Sequence, residues 1–226
     1  THIVYDAISE SGASDAFEAM YGKRALPNYH LDQAEVIVSF GADFLGDFHG
    51  GFEKKYTQGR KPENGKMSYH VQLESNMTLT GANADKRLVV KPSDQVFALL
   101  NLYNAITGNT VTSKATAKDA EIKKLAITLK KAGSKAVVLT GLNDKNAQLI
   151  TLAINKALNS TIIDVTNTLN IRQGNDATVA QLVSNLKSGT VAGVISYNVD
   201  PVFSLANGKE FADALKGKLS VAIAVE

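Results

Sequence analysis

The residues best placed to do chemistry are glycines and carboxylates at the ends of apolar runs. In "VSFGADFLGDFHGG" (Val38 to Gly51), Gly41 and Gly46 punctuate the exit from an apolar strand into an amphipathic segment. Strand, glycine turn and helix is the local shape in which backbone N–H groups and a helix N-terminus converge on a phosphate. The stretch is not G-x-G-x-x-G, however, and it has no Lys-Ser/Thr pair of a P-loop. A tight βα turn needs the same glycines for backbone freedom alone. Asp43 and Asp47 also stand in or beside the turn, and a carboxylate repels the anion that the turn would otherwise attract.

Other carboxylates occupy comparable places. Glu74 ends the run "YHVQLE", where an acid in a dinucleotide fold grips a ribose or base. Asp200-Pro201 follows the run "VAGVIS" in "YNVDPVF", an extended-then-turn dipeptide at a strand's carboxyl end, where open α/β sheets bind ligands. Either is equally a solvated loop residue. In "LTGLNDKNA", Asp144 stands near a helix start, where it favours the dipole and opposes phosphate. His2, His30, His49 and His70 are scattered, with no i, i+4 pair and no carboxylate at ligand spacing, which argues against a metal site. Ser9, Ser11 and Ser14 near Asp6 and Asp15 read as a helix cap, without the His that a triad needs. "GFEKKYTQGRK" is a basic face that suits an anion or, more simply, a solvated helix end.

The elements that must position these residues alternate. Strands are expected at His2–Tyr5, Val36–Phe40, Tyr69–Leu73 and Leu88–Val90. Helices are expected at Ser11–Tyr21 and along "PSDQVFALLNLYNAI", the latter with Ser93 as N-cap. After the polar interval "GNTVTSKATAK" come a helix at Asp119–Ala132, the strand "AVVLTG", the helix "KNAQLITLAINKAL" and the strand "TIIDV". A helix at Thr178–Lys187, the strand "VAGVIS", a helix at Lys209–Lys216 and the strand "LSVAIAV" complete the chain. This order predicts an α/β fold of two doubly wound, mostly parallel αβα (Rossmann-like) units. Residues 1–107 form the first, 108–118 a linker and 119–226 the second.

Composition narrows the function. The chain has 226 residues, 44% of them hydrophobic, enough for one large core or two modest ones. With 24 basic and 22 acidic residues well mixed, it lacks the basic stripe that neutralises nucleic-acid phosphates. No apolar run approaches the roughly 20 residues that cross a bilayer, so a soluble piece without direct membrane insertion is expected. The absence of Cys excludes disulfides, thiolate metal sites and cysteine-held clusters within this sequence. Opening at Thr1 without Met and stopping at "LSVAIAVE", the sequence reads as a piece of a larger subunit.

In order, three segments carry a family likeness: "DQAEVIVSFGADFLGDF", "MSYHVQLESNMTLTGANADKRLVVKPSDQVFALLNLYNAI" and "GTVAGVISYNVDPVFSLANGKEFADALKGKL". Together they resemble the molybdopterin oxidoreductase superfamily over nearly the whole chain. Thr80, Ala84, Asp85 and Pro92 occupy the places of its Thr-x-x-Ala-Asp and proline-led helix, and Asp200-Pro201 the place of its Asn-Pro turn. "GADFLG" with "TLTGANADKRL" is similar to the molybdopterin-oxidoreductase-like region of the iron–sulfur subunit of alternative complex III, a quinol-oxidising respiratory complex.

That resemblance implies a structural domain in an electron-transfer subunit whose iron–sulfur clusters lie outside this region. Its partners would be the rest of the parent chain and the other subunits of a membrane-bound complex. Nucleic acid is excluded from them. Membrane association would come through those subunits, on the periplasmic side. The departures are specific: Gly41-Ala42-Asp43-Phe44 replaces Gly-x-Asn-Pro, Glu74-Ser75-Asn76 lacks the Arg of Asp-Pro-Arg, and "HIVYDAISESG" has no Cys. They imply that the pterin cofactor is absent and that Gly41, Asp43, Glu74 and Asp200 line a vestigial cleft. Two alternatives stay open at this point. One is a molybdopterin-binding catalytic region that uses those four residues; the other is a generic nucleotide-binding module.

Overall fold

Runs of β-branched residues with no polar face make the centre of a parallel sheet. In the computed structural model, which describes residues 1–224, they do so inside the larger of two units, Gly12–Ile171. Its elements are α1 (Ser11–Tyr21, whose first residue belongs to the smaller unit), β1 (Leu26–Tyr29), β2 (Val36–Phe40), α2 (Glu53–Gln58), β3 (Tyr69–Glu74), α3 (Leu79–Ala82), β4 (Lys86–Val89), α4 (Pro92–Thr107), α5 (Asp119–Ala132), β5 (Ala136–Thr140), α6 (Lys145–Ala157) and β6 (Ile163–Leu169). The sheet order is β4-β3-β2-β5, all parallel, with Val38 opposite both Val71 and Val138. The chain therefore winds outward from β2 to β4, then returns across β2 to place β5: a Rossmann-like α/β fold.

Strand alternation divides the core into two layers. Val36, Val38, Phe40, Val71, Leu73 and Val138 face α4, α5 and α6, meeting Leu99, Leu102, Leu125, Leu129 and Ile154. Ile37, Val137 and Leu139 face the opposite way, under Phe44, Phe48, Phe52 and Tyr56. Local signals place the helices. Pro92 opens α4 with its preset φ, and Gly108 closes it in the left-handed region. Lys91 is the N-cap, so Ser93 sits inside the first turn rather than capping it. Acidic Asp119 and Glu121 start α5 and Lys130 and Lys131 end it, matching the helix dipole. The backbone of edge strand β5 is covered by Asn155 of α6, whose amide bonds Val138 N and O at 2.9 and 2.7 Å.

The expected linker at 108–118 is corrected by this sheet. β5, which follows the interval, pairs along its whole length with β2, which precedes it, so one sheet spans both halves. The interval is polar because it is a surface connection between α4 and α5, not because it separates cores. Asn101 and Asn104 of α4 hold the Lys114 and Val111 carbonyls, and Asp119 accepts from Thr116. The boundaries fall instead at 11/12 and 171/172. "TIIDV" is also corrected: β6 runs antiparallel to β1 in a sheet of its own. β1 is "LPNY", whose Pro27 and Asn28 hide it from strand propensity.

The smaller unit, Thr1–Ser11 with Arg172–Glu226, contains α7 (Asp176–Lys187), β7 (Gly193–Tyr197), α8 (Pro201–Ser204), α9 (Gly208–Leu215) and β8 (Leu219–Ile223). β7 and β8 are parallel, and Val183, Leu186 and Phe211 form the core against Val194. In register, Gly193, Ile195 and Tyr197 lie beside Leu219, Val221 and Ile223, and the five apolar side chains of that face are exposed, Ile195 by 68%. The expected strand at His2–Tyr5 is not formed. Val225 of the expected "LSVAIAV" strand and Glu226 of the expected second unit lie outside the described residues.

Candidate functional site

The order in which the chain lays down its strands reverses between β2 and β5, and in open α/β folds ligands bind outside the carboxyl ends of strands at that point. There the backbone folds tightly. Gly41 leaves β2 at φ +68°, a left-handed conformation in which a side chain is strained, and its N–H bonds Leu73 O at 2.8 Å. Gly141 leaves β5 so close by that an added Cβ would stand 2.4 Å from Gly41 O. The position fits a ligand, but the polar groups around it are engaged by the chain. The Asp43 carboxylate accepts from Thr80 N at 2.9 Å at the start of α3, and Thr80 Oγ1 accepts from Leu45 N at 2.9 Å. Beyond β5, Asn143 Oδ1 accepts from Gly12 N at 3.0 Å and Asp144 caps α6 through Ala147 N at 2.8 Å.

Behind this turn lies a buried polar row. Because β3 alternates, Val71 and Leu73 face the helices while His70, Gln72 and Glu74 line the other layer, all three buried. Glu74, 2% exposed, pairs with Arg87 of β4 and accepts from Thr78 Oγ1 at 2.7 Å, Thr78 N at 3.3 Å and Gln72 Nε2 at 3.2 Å. Burial pushes its pKa upward, but the hydrogen bonds from Arg87, Thr78 and Gln72 together outweigh it and hold the carboxyl below its ordinary value. Asp85 takes both guanidinium nitrogens of Arg60 at 2.8 and 2.9 Å and His70 N at 2.7 Å, and Arg60 above all keeps it ionised.

Proton positions follow from this wiring. Gln72 Nε2 donates to Ala42 O and to Glu74, neither of which can donate in return. Gln72 Oε1 therefore faces His70 Nε2 at 3.3 Å, and that nitrogen carries hydrogen. Burial lowers the His70 pKa to about 4, so the ring is neutral at pH 7 and Nδ1 is a bare acceptor, 3.0 Å from the Tyr56 hydroxyl. Tyr56, raised to about 12 chiefly by burial, keeps its proton and donates a hydrogen bond to Nδ1; Asn83 O, also 3.0 Å away, is its alternative acceptor. The row fixes strand to cover by hydrogen bonding, with no side chain poised as nucleophile.

Of the expected cleft residues, Gly41, Asp43 and Glu74 belong together at one end of the four-stranded sheet. Asp200 belongs to the other unit, where it caps α8 by accepting from Phe203 N at 3.1 Å. The basic stretch becomes α2 and its exit, with Lys55 on Tyr29 O and Arg60 on Asp85. Ser9 and Ser11 bond at the start of α7, to Asp176 and to Gly174 O. Arg87, Thr78 and Gln72 escaped the sequence reading, which named Thr80 only as part of the family motif and His70 only as a poor metal ligand. The signal for the row was the alternation His70-x-Gln72-x-Glu74 between apolar residues.

A pterin dinucleotide needs cations and free N–H donors for its pyrophosphate. Here Arg87 and Arg60 are held by Glu74 and Asp85, and the starts of α3 and α6 are capped by Thr78 and Asp144, while α4 opens at Lys91 without a side-chain cap. At the turn itself, Asp43 and Glu74 do not fit that group. Among the described residues no cluster of three or more His, Cys, Asp or Glu could hold a metal ion, and no helix is long and apolar enough to cross a membrane. No family model matches the chain, and no curated protein matches it.

Proposed function

We propose that the chain is a cofactor-free structural domain of the iron–sulfur subunit of a quinol-oxidising respiratory complex of the alternative complex III type. The ordered resemblance of "GADFLG", "TLTGANADKRL" and "VISYNVDPVF" supplies the family. One geometric observation carries the loss of the cofactor site: the carboxylates at the strand ends are bound to the chain's own donors, Asp43 to Thr80 N and Glu74 to Arg87 and Thr78. An anion arriving there would meet two carboxylates, with the Arg87 guanidinium already paired to Glu74. Those two side chains act by holding the βα turns of a Rossmann-like sheet that has kept its shape.

The exposed apolar face of β7 and β8 supports a life among partner subunits, because parallel sheets are ordinarily covered on both faces. On this reading the parent subunit carries its clusters elsewhere and reaches the membrane, on the periplasmic side, through other subunits. Elemental analysis of the natively purified complex tests it. Iron without molybdenum or tungsten is the expected result, and either heavier metal near one atom per subunit overturns it.

A further inference from the structure

Within the smaller unit, β7 has one edge paired and one open. Asn198 N donates to Ile223 O and Ala192 O accepts from Leu219 N, so the even-numbered residues of β7 and its flanks bond β8. By strand alternation the backbone groups of Gly193, Ile195 and Tyr197 aim at the opposite edge. A cavity of about 560 Å³ lies there, with mostly apolar walls that include Val179, Leu182, Val194 and Phe211 and, from the start of the chain, Ile3 and Tyr5. β7 contributes Gly193 to Ser196 to its lining and β8 contributes nothing, which places the cavity on the open side.

We infer that residues 2–5 dock along the open edge of β7 as a third strand and close this cavity. Four observations converge. "HIVY" has the β-branched and aromatic composition of a strand. Thr1, His2, Ile3 and Tyr5 line the cavity while Val4 does not, so the segment already lies along its groove. The segment is tethered at one end, where Val4 O accepts from Asn175 N at 3.2 Å and Ser9 Oγ donates to Asp176 at 2.9 Å. Its span of roughly 13 Å for four residues covers most of the five-residue β7. The tether also sets direction. A short connection joins α7 to β7, making them antiparallel, so the start of α7 lies at the carboxyl end of β7; residues 2–5 run toward it, parallel to β7. Docking turns an open parallel pair into a three-stranded sheet and hides an edge that would otherwise recruit foreign strands.

The chain has no cysteine, so a cross-link can be read without background. Val4→Cys with Ile195→Cys puts two thiols on adjacent parallel positions, within the Cα separation of about 4.4–6.8 Å that a disulfide requires. Mild oxidation of the full chain is expected to link them nearly completely, while Val4→Cys with Val221→Cys, one strand further away, stays reduced. Hydrogen exchange gives the second readout. The amides of Ile195 and Tyr197 are expected to exchange at least ~100-fold more slowly than free peptide. Ile3→Asp, which puts a charge into the apolar cavity, should restore their fast exchange while the amides of Val194 and Ser196, bonded to β8, stay slow. Protection without the cross-link supports docking in another register. Absence of the cross-link together with unprotected Ile195 and Tyr197 overturns the inference.

Discussion

Removing Arg87 should strongly destabilise the larger unit. Its guanidinium is the cation paired with Glu74, whose side chain is 2% exposed and keeps only Thr78 and Gln72 as donors once Arg87 is gone. Breaking a buried pair on one side costs about 3–5 kcal/mol, because the remaining charge is left without compensation. For a unit of this size that corresponds to a fall of roughly 10 °C in Tm. The effect carries a pH signature. In the native chain the Glu74 pKa is depressed, so its contribution is present above the unfolded value and is lost as pH falls through the folded one. In Arg87→Ala the strongest depressing partner is absent and burial raises the carboxyl, so the deficit is largest at pH 7 and shrinks toward pH 4. Glu74→Gln in the Arg87→Ala background removes the stranded charge and should recover part of the loss. Urea unfolding followed by circular dichroism at both pH values measures all three. A deficit below about 1 kcal/mol at pH 7, typical of an exposed pair, or one identical at pH 4 and 7, would refute the reasoning.

Further outcomes follow from the same structure. Gly141→Ala, whose Cβ would meet backbone at 2.4 Å, should cost at least ~2 kcal/mol in thermal unfolding; an unchanged Tm contradicts the close approach of β2 and β5. Leu102→Ala, fully buried under the sheet, should cost about 2–5 kcal/mol in the same assay. His70 is held neutral down to about pH 4, so the folded state binds fewer protons than the unfolded one between pH 6.5 and 4; stability should decline by about 3 kcal/mol over that window, and His70→Asn should flatten the decline. Expressed alone, residues 12–171 should unfold cooperatively, whereas residues 1–107, which lack β5 and leave one edge of β2 bare, should give no cooperative transition.

Sequence pattern disclosed the elements whose cause is local. Val36–Phe40 is apolar throughout because it is central and buried on both faces, and α5 carries its charges where the dipole favours them. What pattern could not disclose was pairing at long range. The partnership of β2 with β5 joins residues 100 apart, and the polar interval between them resembles a domain linker only when the chain is read along its length. β1 was hidden by Pro27 and drew "TIIDV" into an antiparallel pair that alternation alone does not suggest. At the site, the turn glycines and Glu74 were legible from their places at strand ends. The partner of Glu74 was not, because Arg87 stands one strand away in a segment that reads as an ordinary exposed edge.

On the proposed reading, the switch point of the larger unit is occupied by its own polar side chains and takes no phosphorylated cofactor. Titration of the ¹⁵N-labelled chain with inorganic pyrophosphate and with guanosine diphosphate, watching the amides of Gly41, Asp43, Thr80 and Gly141, tests it most directly. No saturable shift up to about 5 mM is predicted, weaker than the roughly −4 kcal/mol of millimolar binding. A saturating shift at those amides with a Kd below about 100 μM would contradict the claim and restore the turn as a phosphate cradle.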